Sequence, residues 1–299
     1  MKKLILAITM MFFVTMAQAK DILYVVNSGS TGGSFNAIMS ATAEDLKKYY
    51  DVKYVQAKGC AKSGAVVSRL VKNGEKAYFI WSSLKVAEAY NGVIKNEDCK
   101  LLPNADNFVR ADIKYGMMFT KKGGIDKEAL MESTALTIGF NHTANKMWLD
   151  GFIKHHNLPH KTIRYENSKA IVLGIISGEI DIAIINSASS FWKKQDKLKA
   201  LWTLNPKGEH GISAVASVSD YVKAKDGQAD SFLVRGMNKN EMAKFKSNIR
   251  KIFADSNANV TKWYSNVKGY GSTLNTPDDQ AIDQVLDLMQ NWTDVNLKK

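Results

Sequence analysis

Cysteine and proline are both scarce here, two and four in 299 residues. Cys60 and Cys99 cannot staple a disulfide-built scaffold, and they are too few for a thiolate zinc site. In an oxidising compartment they admit one disulfide, whose geometry a sequence cannot supply. With so few prolines there is no Pro-rich linker, and low-complexity tracts, repeats and charged tails are absent too. If the chain forms two domains, they are expected to share crossing strands.

Catalytic signatures are missing as well. No GxSxG pentapeptide frames a serine, no GxxxxGK[ST] cradles a phosphate, and no GxGxxG follows the first strand. No pair of carboxylates stands out for acid–base work. Asp181, inside GEID, either marks a site or serves a turn by capping or ion pairing. In HHNLPH, Pro159 breaks the helical face that His155, His156 and His160 would share. They read as solvated histidines at a helix end, and no metal or other cofactor is expected.

The balance of 41 Lys+Arg against 29 Asp+Glu gives +12, and the lysines are scattered. Nucleic-acid binding calls for a basic stripe with interleaved aromatics, so no nucleic-acid partner is expected. The positive field favours small anions or an anionic surface, or is simply a solvated basic exterior.

Lys2 and Lys3 precede an apolar run from Leu4 to Met16, which ends at Ala17-Gln18-Ala19. This is the pattern of a secretory signal peptide over residues 1–19, cleaved before Lys20. The run is too short to cross a bilayer comfortably. Its removal would leave an exported protein of about 280 residues, enough for two compact domains.

Apolar runs at Ile22–Val26, Val52–Gln56, Ala77–Ile80, Tyr115–Phe119, Leu136–Gly139, Thr162–Tyr165, Ile180–Ile185 and Ala200–Leu204 read as strands. Helical patterns alternate with them at Ala37–Tyr50, Gly64–Asn73, Leu84–Tyr90, Lys127–Glu132, Lys146–His156 and Ala170–Ser177. The alternation predicts an α/β fold with parallel sheets covered on both faces. The tail reads helical over Asn240–Phe253 and Pro277–Leu297.

In such sheets, ligands bind beyond the carboxyl ends of strands, where loops enter helices. Five loops there are rich in small polar residues: Ser28–Asn36, Trp81-Ser82-Ser83, Asn141–Asn145, Glu166–Lys169 and Asn186–Ser190. A single such loop is ordinary, because Ser, Thr and Asn are favoured N-caps. Five at successive strand ends outline a polar pocket. Unpaired helix-start N–H groups, with the dipole behind them, can hold an anion without any catalytic group. Trp81 is placed either to stack on a ligand or to be buried.

The opening ILYVVNSGSTGGSFNAIMSATAEDL resembles that of the extracytoplasmic solute receptors of the tripartite tricarboxylate transporter family (Bug/TctC-like). The likeness continues through GEKAYFIWSS, IRYENSKAIVLGIISGEIDIAIINSAS, KLKALWTL and SFLVRGMNKNEMAKFKSNIRKI, in the family's order. It implies a type II periplasmic-binding-protein fold, two hinged α/β lobes around a cleft. The lobes expected are residues 20–120 with 214–299, and 121–213. It further implies a small di- or tricarboxylate ligand, delivered to membrane permease subunits by a monomeric receptor that is not an enzyme.

Carried onto this chain, the first jaw is Thr31, Gly32, Gly33, Ser34, Phe35 and Asn36, with Ser28 beside it. The facing lobe would contribute Asn141, His142, Thr143, Ser168, Asn186 and Ser187. His142 would either reach a carboxylate or face solvent. The family's proline before the glycine pair is Thr31 here, and its aspartate is Asn36. Losing that carboxylate removes a partner for a ligand ammonium, which disfavours an amino acid. A receptor of the TAXI branch of TRAP transporters is the near alternative. An exported hydrolase using Ser34 and His142 is the alternative from another class.

Overall fold

The computed structural model describes residues 20–31, 33–82, 99, 111–132, 134–141, 143–186, 196–209, 211–222 and 228–267. The first half holds β1 (Ile22–Asn27), α1 (Ser34–Leu46), β2 (Asp51–Gln56), α2 (Cys60–Lys72), β3 (Ala77–Ser82) and β4 (Ala111–Lys114). There follow β5 (Gly116–Lys121), α3 (Lys127–Met131), β6 (Thr137–Phe140), α4 (Thr143–His155), β7 (Lys161–Arg164), α5 (Ser168–Ser177) and β8 (Ile182–Asn186). The chain continues through β9 (Leu198–Thr203), a 3-10 turn (Val218–Asp220), β10 (Gln228–Arg235), α6 (Lys239–Ala254) and α7 (Asn259–Val267). The helices expected at Leu84–Tyr90 and Pro277–Leu297 lie outside the described residues.

These strands make two five-stranded sheets, in the orders β2-β1-β3-β10-β4 and β7-β6-β8-β5-β9. The expectation of wholly parallel sheets is corrected. β1 runs parallel to β2 and β3, but β10 is antiparallel to β3 and β4. In the second sheet β6 runs parallel to β7 and β8, and β5 is antiparallel to β8 and β9. The reversed strands are those next to the points where the chain changes sheet, so they are not products of a βαβ crossover.

Period-two alternation explains the layering. Leu23 and Val25 point to one face of the first sheet, where they pack with Met39 of α1 and Phe245 of α6. Val26 points to the other, with Phe79, Leu233 and Val67 of α2. The second sheet is sandwiched likewise. Trp148 and Phe152 of α4 cover Ile138, Ile182 and Ile184, while Ile171 and Ile175 of α5 cover Met117, Phe119 and Ile185. Burying each such large side chain contributes roughly 1.5–3 kcal/mol, so each sheet carries its own core.

The chain leaves the first sheet at Lys114, passes the buried Tyr115 and enters the second at Gly116. It remains with the second core through Val215, Val218 and Val222 and rejoins the first sheet at Gln228. Strand β5 thus pairs within the second sheet, and Val215, Val218 and Val222 pack with its core. Lys114 and Gln228, where the chain leaves and rejoins the first sheet, are partners in the β4–β10 ladder.

Candidate functional site

At the carboxyl end of β1, Asn27 is fully buried and organises the loop that follows. Its Nδ2 donates to Asn36 Oδ1 at 2.9 Å and to Gln56 Oε1 at 2.8 Å, and its Oδ1 accepts from the Gly29 N–H at 2.9 Å. Gln56 returns a hydrogen bond to the Gly29 carbonyl. Asn36 Oδ1 also accepts from the Tyr54 hydroxyl at 3.2 Å. The Asn36 amide oxygen is thus spent on holding the start of α1 to β1 and β2.

Gly29 is required here by close approach: a Cβ on it would lie 2.5 Å from the Cβ of Phe35. The loop then turns, with the Gly33 N–H donating to the Ser30 carbonyl at 2.9 Å, and α1 begins at Ser34. Gly33 is the N-cap and makes no side-chain cap bond, and the first turn carries no acid. Nor does α2 have a side-chain cap. Its N-cap, Gly59, sits at φ 86°, which favours glycine, and donates its N–H to the Ser28 carbonyl at 2.8 Å. By contrast, Asp126 caps α3 and Asn238 with Glu241 forms a capping box on α6. The helices that start beside the β1 and β2 loops both carry a glycine at the N-cap, which supplies no side-chain cap and lets a ligand come close to the backbone.

In the second sheet the strand-end loops bring Asn141, Asn145 and Ser168 into one hydrogen-bonded group. Asn141 Nδ2 donates to Ser168 Oγ at 3.0 Å, and Asn145 Nδ2 donates to Asn141 Oδ1 at 3.4 Å. Asn186 ends β8, opposite Gly116 of β5, and is buried. Lys58 follows β2 and Glu166 follows β7, yet their side chains form an ion pair. Lys58 holds the Glu166 carboxyl below its usual range, first through the hydrogen bond and then through its charge. The carboxyl ends of the two sheets therefore face each other.

Of the residues expected at the site, Thr31 is exposed on the loop, Ser28, Gly33, Phe35 and Asn36 stand around it, and Asn141, Ser168 and Asn186 gather on the other sheet. Ser34 and Thr143 open α1 and α4, and Trp81 and Ser82 end β3 beside β1. The side chains of these four are outside the description, as are Gly32, Ser83, His142 and Ser187 altogether. Asn27, Gln56 and Lys58 were not among the expected site residues, and Asn145 and Glu166 fell within the expected pocket loops without being singled out. The readable signal was for Asn27 and Gln56: an amide ending each of two neighbouring strands.

Three expectations away from the site are settled by the structure. His160 is buried, not solvated: its Nε2 meets the Leu130 carbonyl at 2.8 Å and its Nδ1 accepts from the Leu136 N–H at 3.3 Å. His156 also has a buried Nε2, because the end of α4 packs against Phe152 and Tyr221. Asp181 serves a turn, its Oδ2 accepting from the Thr137 N–H at 2.8 Å. Cys60 and Cys99 are joined in a disulfide, with Cα atoms 5.1 Å apart. Among the described residues no three His, Cys, Asp or Glu side chains are grouped as a metal site would need.

No known protein-family profile matches the chain, and no curated protein matches it. Solved structures do. One described as a periplasmic transporter is similar with TM-score 0.66 and 16% identity, over 94% of this chain and 97% of that one. MatC from Rhodopseudomonas palustris with bound malate gives 0.65 and 12%, over 93% and 99%. R. palustris Rpa4515 with adipate gives 0.65 and 14%, over 94% and 97%. The chain has the two-sheet α/β fold of periplasmic solute-binding proteins.

Proposed function

We propose that this chain is an exported receptor that captures a small di- or tricarboxylate in the cleft between its sheets. It hands the ligand to the membrane permease of a tripartite tricarboxylate-type secondary transporter. The observation that carries this reading is the Lys58–Glu166 pair, which links the loop after β2 to the loop after β7 and so supports a cleft between the glycine-capped starts of α1 and α2 and the Asn141–Ser168 group. Backbone donors and neutral amides suit a ligand that only accepts hydrogen bonds. Four to six charge-assisted bonds at roughly 1.5–3 kcal/mol each offset an association cost of roughly 4–15 kcal/mol and leave micromolar affinity.

Malate on MatC and adipate on Rpa4515 support the ligand class. The signal-like residues 1–19 and the Cys60–Cys99 bridge support a periplasmic location, where thiols oxidise. The receptor works as a monomer, and nothing in this arrangement calls for catalysis. Calorimetric titration with malate, adipate, citrate and glutamate tests the reading. At least one of the first three should bind at micromolar concentration, ahead of glutamate. Binding of glutamate alone, or of none of the four, would reject the carboxylate assignment.

A further inference from the structure

The asparagines of the second sheet form a chain of hydrogen bonds with a fixed direction. Asn145, on the first turn of α4, is fully buried. One atom of its amide faces the Ile184 carbonyl at 3.4 Å. A backbone carbonyl only accepts, so that atom is the NH2 group. The same NH2 serves Asn141 Oδ1 at 3.4 Å. The Asn145 Oδ1 lies on the other side, 3.2 Å from where a Cβ on Gly116 would sit, and it has no hydrogen-bond partner among the described residues.

With its oxygen accepting from Asn145, Asn141 must present its own NH2 to Ser168, and it does so at 3.0 Å. The Ser168 oxygen is therefore an acceptor toward the protein, and its hydroxyl hydrogen turns elsewhere. Asn167, not Ser168, caps α5 by accepting from the Ala170 N–H at 3.0 Å, so the serine is not consumed as a cap.

We infer that Asn145 is a positioning residue that, through Asn141, turns the Ser168 hydroxyl into a hydrogen-bond donor for the ligand. The inference rests on the carboxylate reading above and deepens it. A carboxylate accepts and never donates, whereas an ammonium or amide N–H needs an acceptor. A serine on its own can rotate to offer either. With one lone pair taken by Asn141 and its hydrogen directed away from that amide, it keeps its donor for the ligand and half its accepting capacity, so the site favours acceptors without placing a buried cation there.

A double-mutant cycle on the full-length exported chain tests this, with malate and adipate as calorimetric probes. Asn145→Leu keeps the volume roughly and removes the donor to Asn141, freeing that amide to turn. Ser168→Ala alone should weaken binding by about tenfold, as should Asn145→Leu alone. In the Asn145→Leu background, Ser168→Ala should cost far less than it does alone, because the hydroxyl is no longer committed to the ligand. Ser168→Thr keeps the hydroxyl and should retain wild-type affinity. If Asn145→Leu does not fold, Asn141→Asp makes the same comparison, since its carboxylate takes the Ser168 proton while still accepting from Asn145. Full additivity, or wild-type affinity in Asn145→Leu, overturns the inference alone. Should the wild type bind neither malate nor adipate, citrate takes their place as the probe, and a wild type that binds none of the three overturns it together with the carboxylate reading.

Discussion

His156 sits among Phe152, His155 and Tyr221, with ring centroids 5.1, 4.8 and 6.2 Å away. Burial, and then the neighbouring His155, hold its imidazole below the ordinary value of 6.5. As pH falls through 6.5 the unfolded chain takes up this proton before the folded one does. The unfolded state then holds more protons, so folding stability drops with pH. Urea midpoints should be lower at pH 5.5 than at pH 7.5, and His156→Phe should flatten that difference. An unchanged slope in the variant would show that another group is responsible. The sequence hid this because HHNLPH reads as a polar helix end; what buries it is Tyr221, far away in the chain. Asn27 was more legible, an amide ending an otherwise apolar strand. That it pairs with Asn36 and Gln56 was not, since no local pattern says which strand β1 will adopt as neighbour.

Each βα unit was readable because its strand is apolar and its helix amphipathic. β4 and β10 were not, and the reason lies in their residues. ADIK is short, and QADSFLVR is polar through its first half. Helix α7 also escaped notice. Its start is held by Asp45 of α1, whose carboxylate accepts from the N–H groups of Asn259 and Val260 at 3.0 and 2.9 Å. A cap supplied from 214 residues away leaves no trace in the local sequence. The disulfide was legible only as an option. It ties the first residue of α2 to Cys99 across a separation of 39 residues. Loop entropy over that span makes it worth about 4 kcal/mol. Cys60→Ser with Cys99→Ser, or reduction by dithiothreitol, should lower the urea midpoint accordingly. An unchanged midpoint would mean that the bridge constrains nothing beyond what packing already holds.

Which sheet a strand joins is decided by the whole chain, and this is where sequence reading stops. Tyr115–Phe119 is plainly a strand, yet nothing within it says that it belongs with β8 and β9 and not with β4. The chain leaves the first sheet after Lys114 and re-enters it at Gln228, and these two residues are partners in the β4–β10 ladder. Across the proposed cleft stands the Lys58–Glu166 pair, with both side chains more than half exposed. Such pairs are screened by salt and contribute little, so this contact alone does not hold the sheets together. A ligand that touches both must supply the difference, because only differential affinity shifts a two-state equilibrium. Small-angle scattering with and without saturating malate or adipate tests that claim most directly. The radius of gyration should fall when the carboxylate that binds is added and should stay constant with one that does not. A saturated receptor whose radius of gyration is unchanged would contradict capture between the sheets.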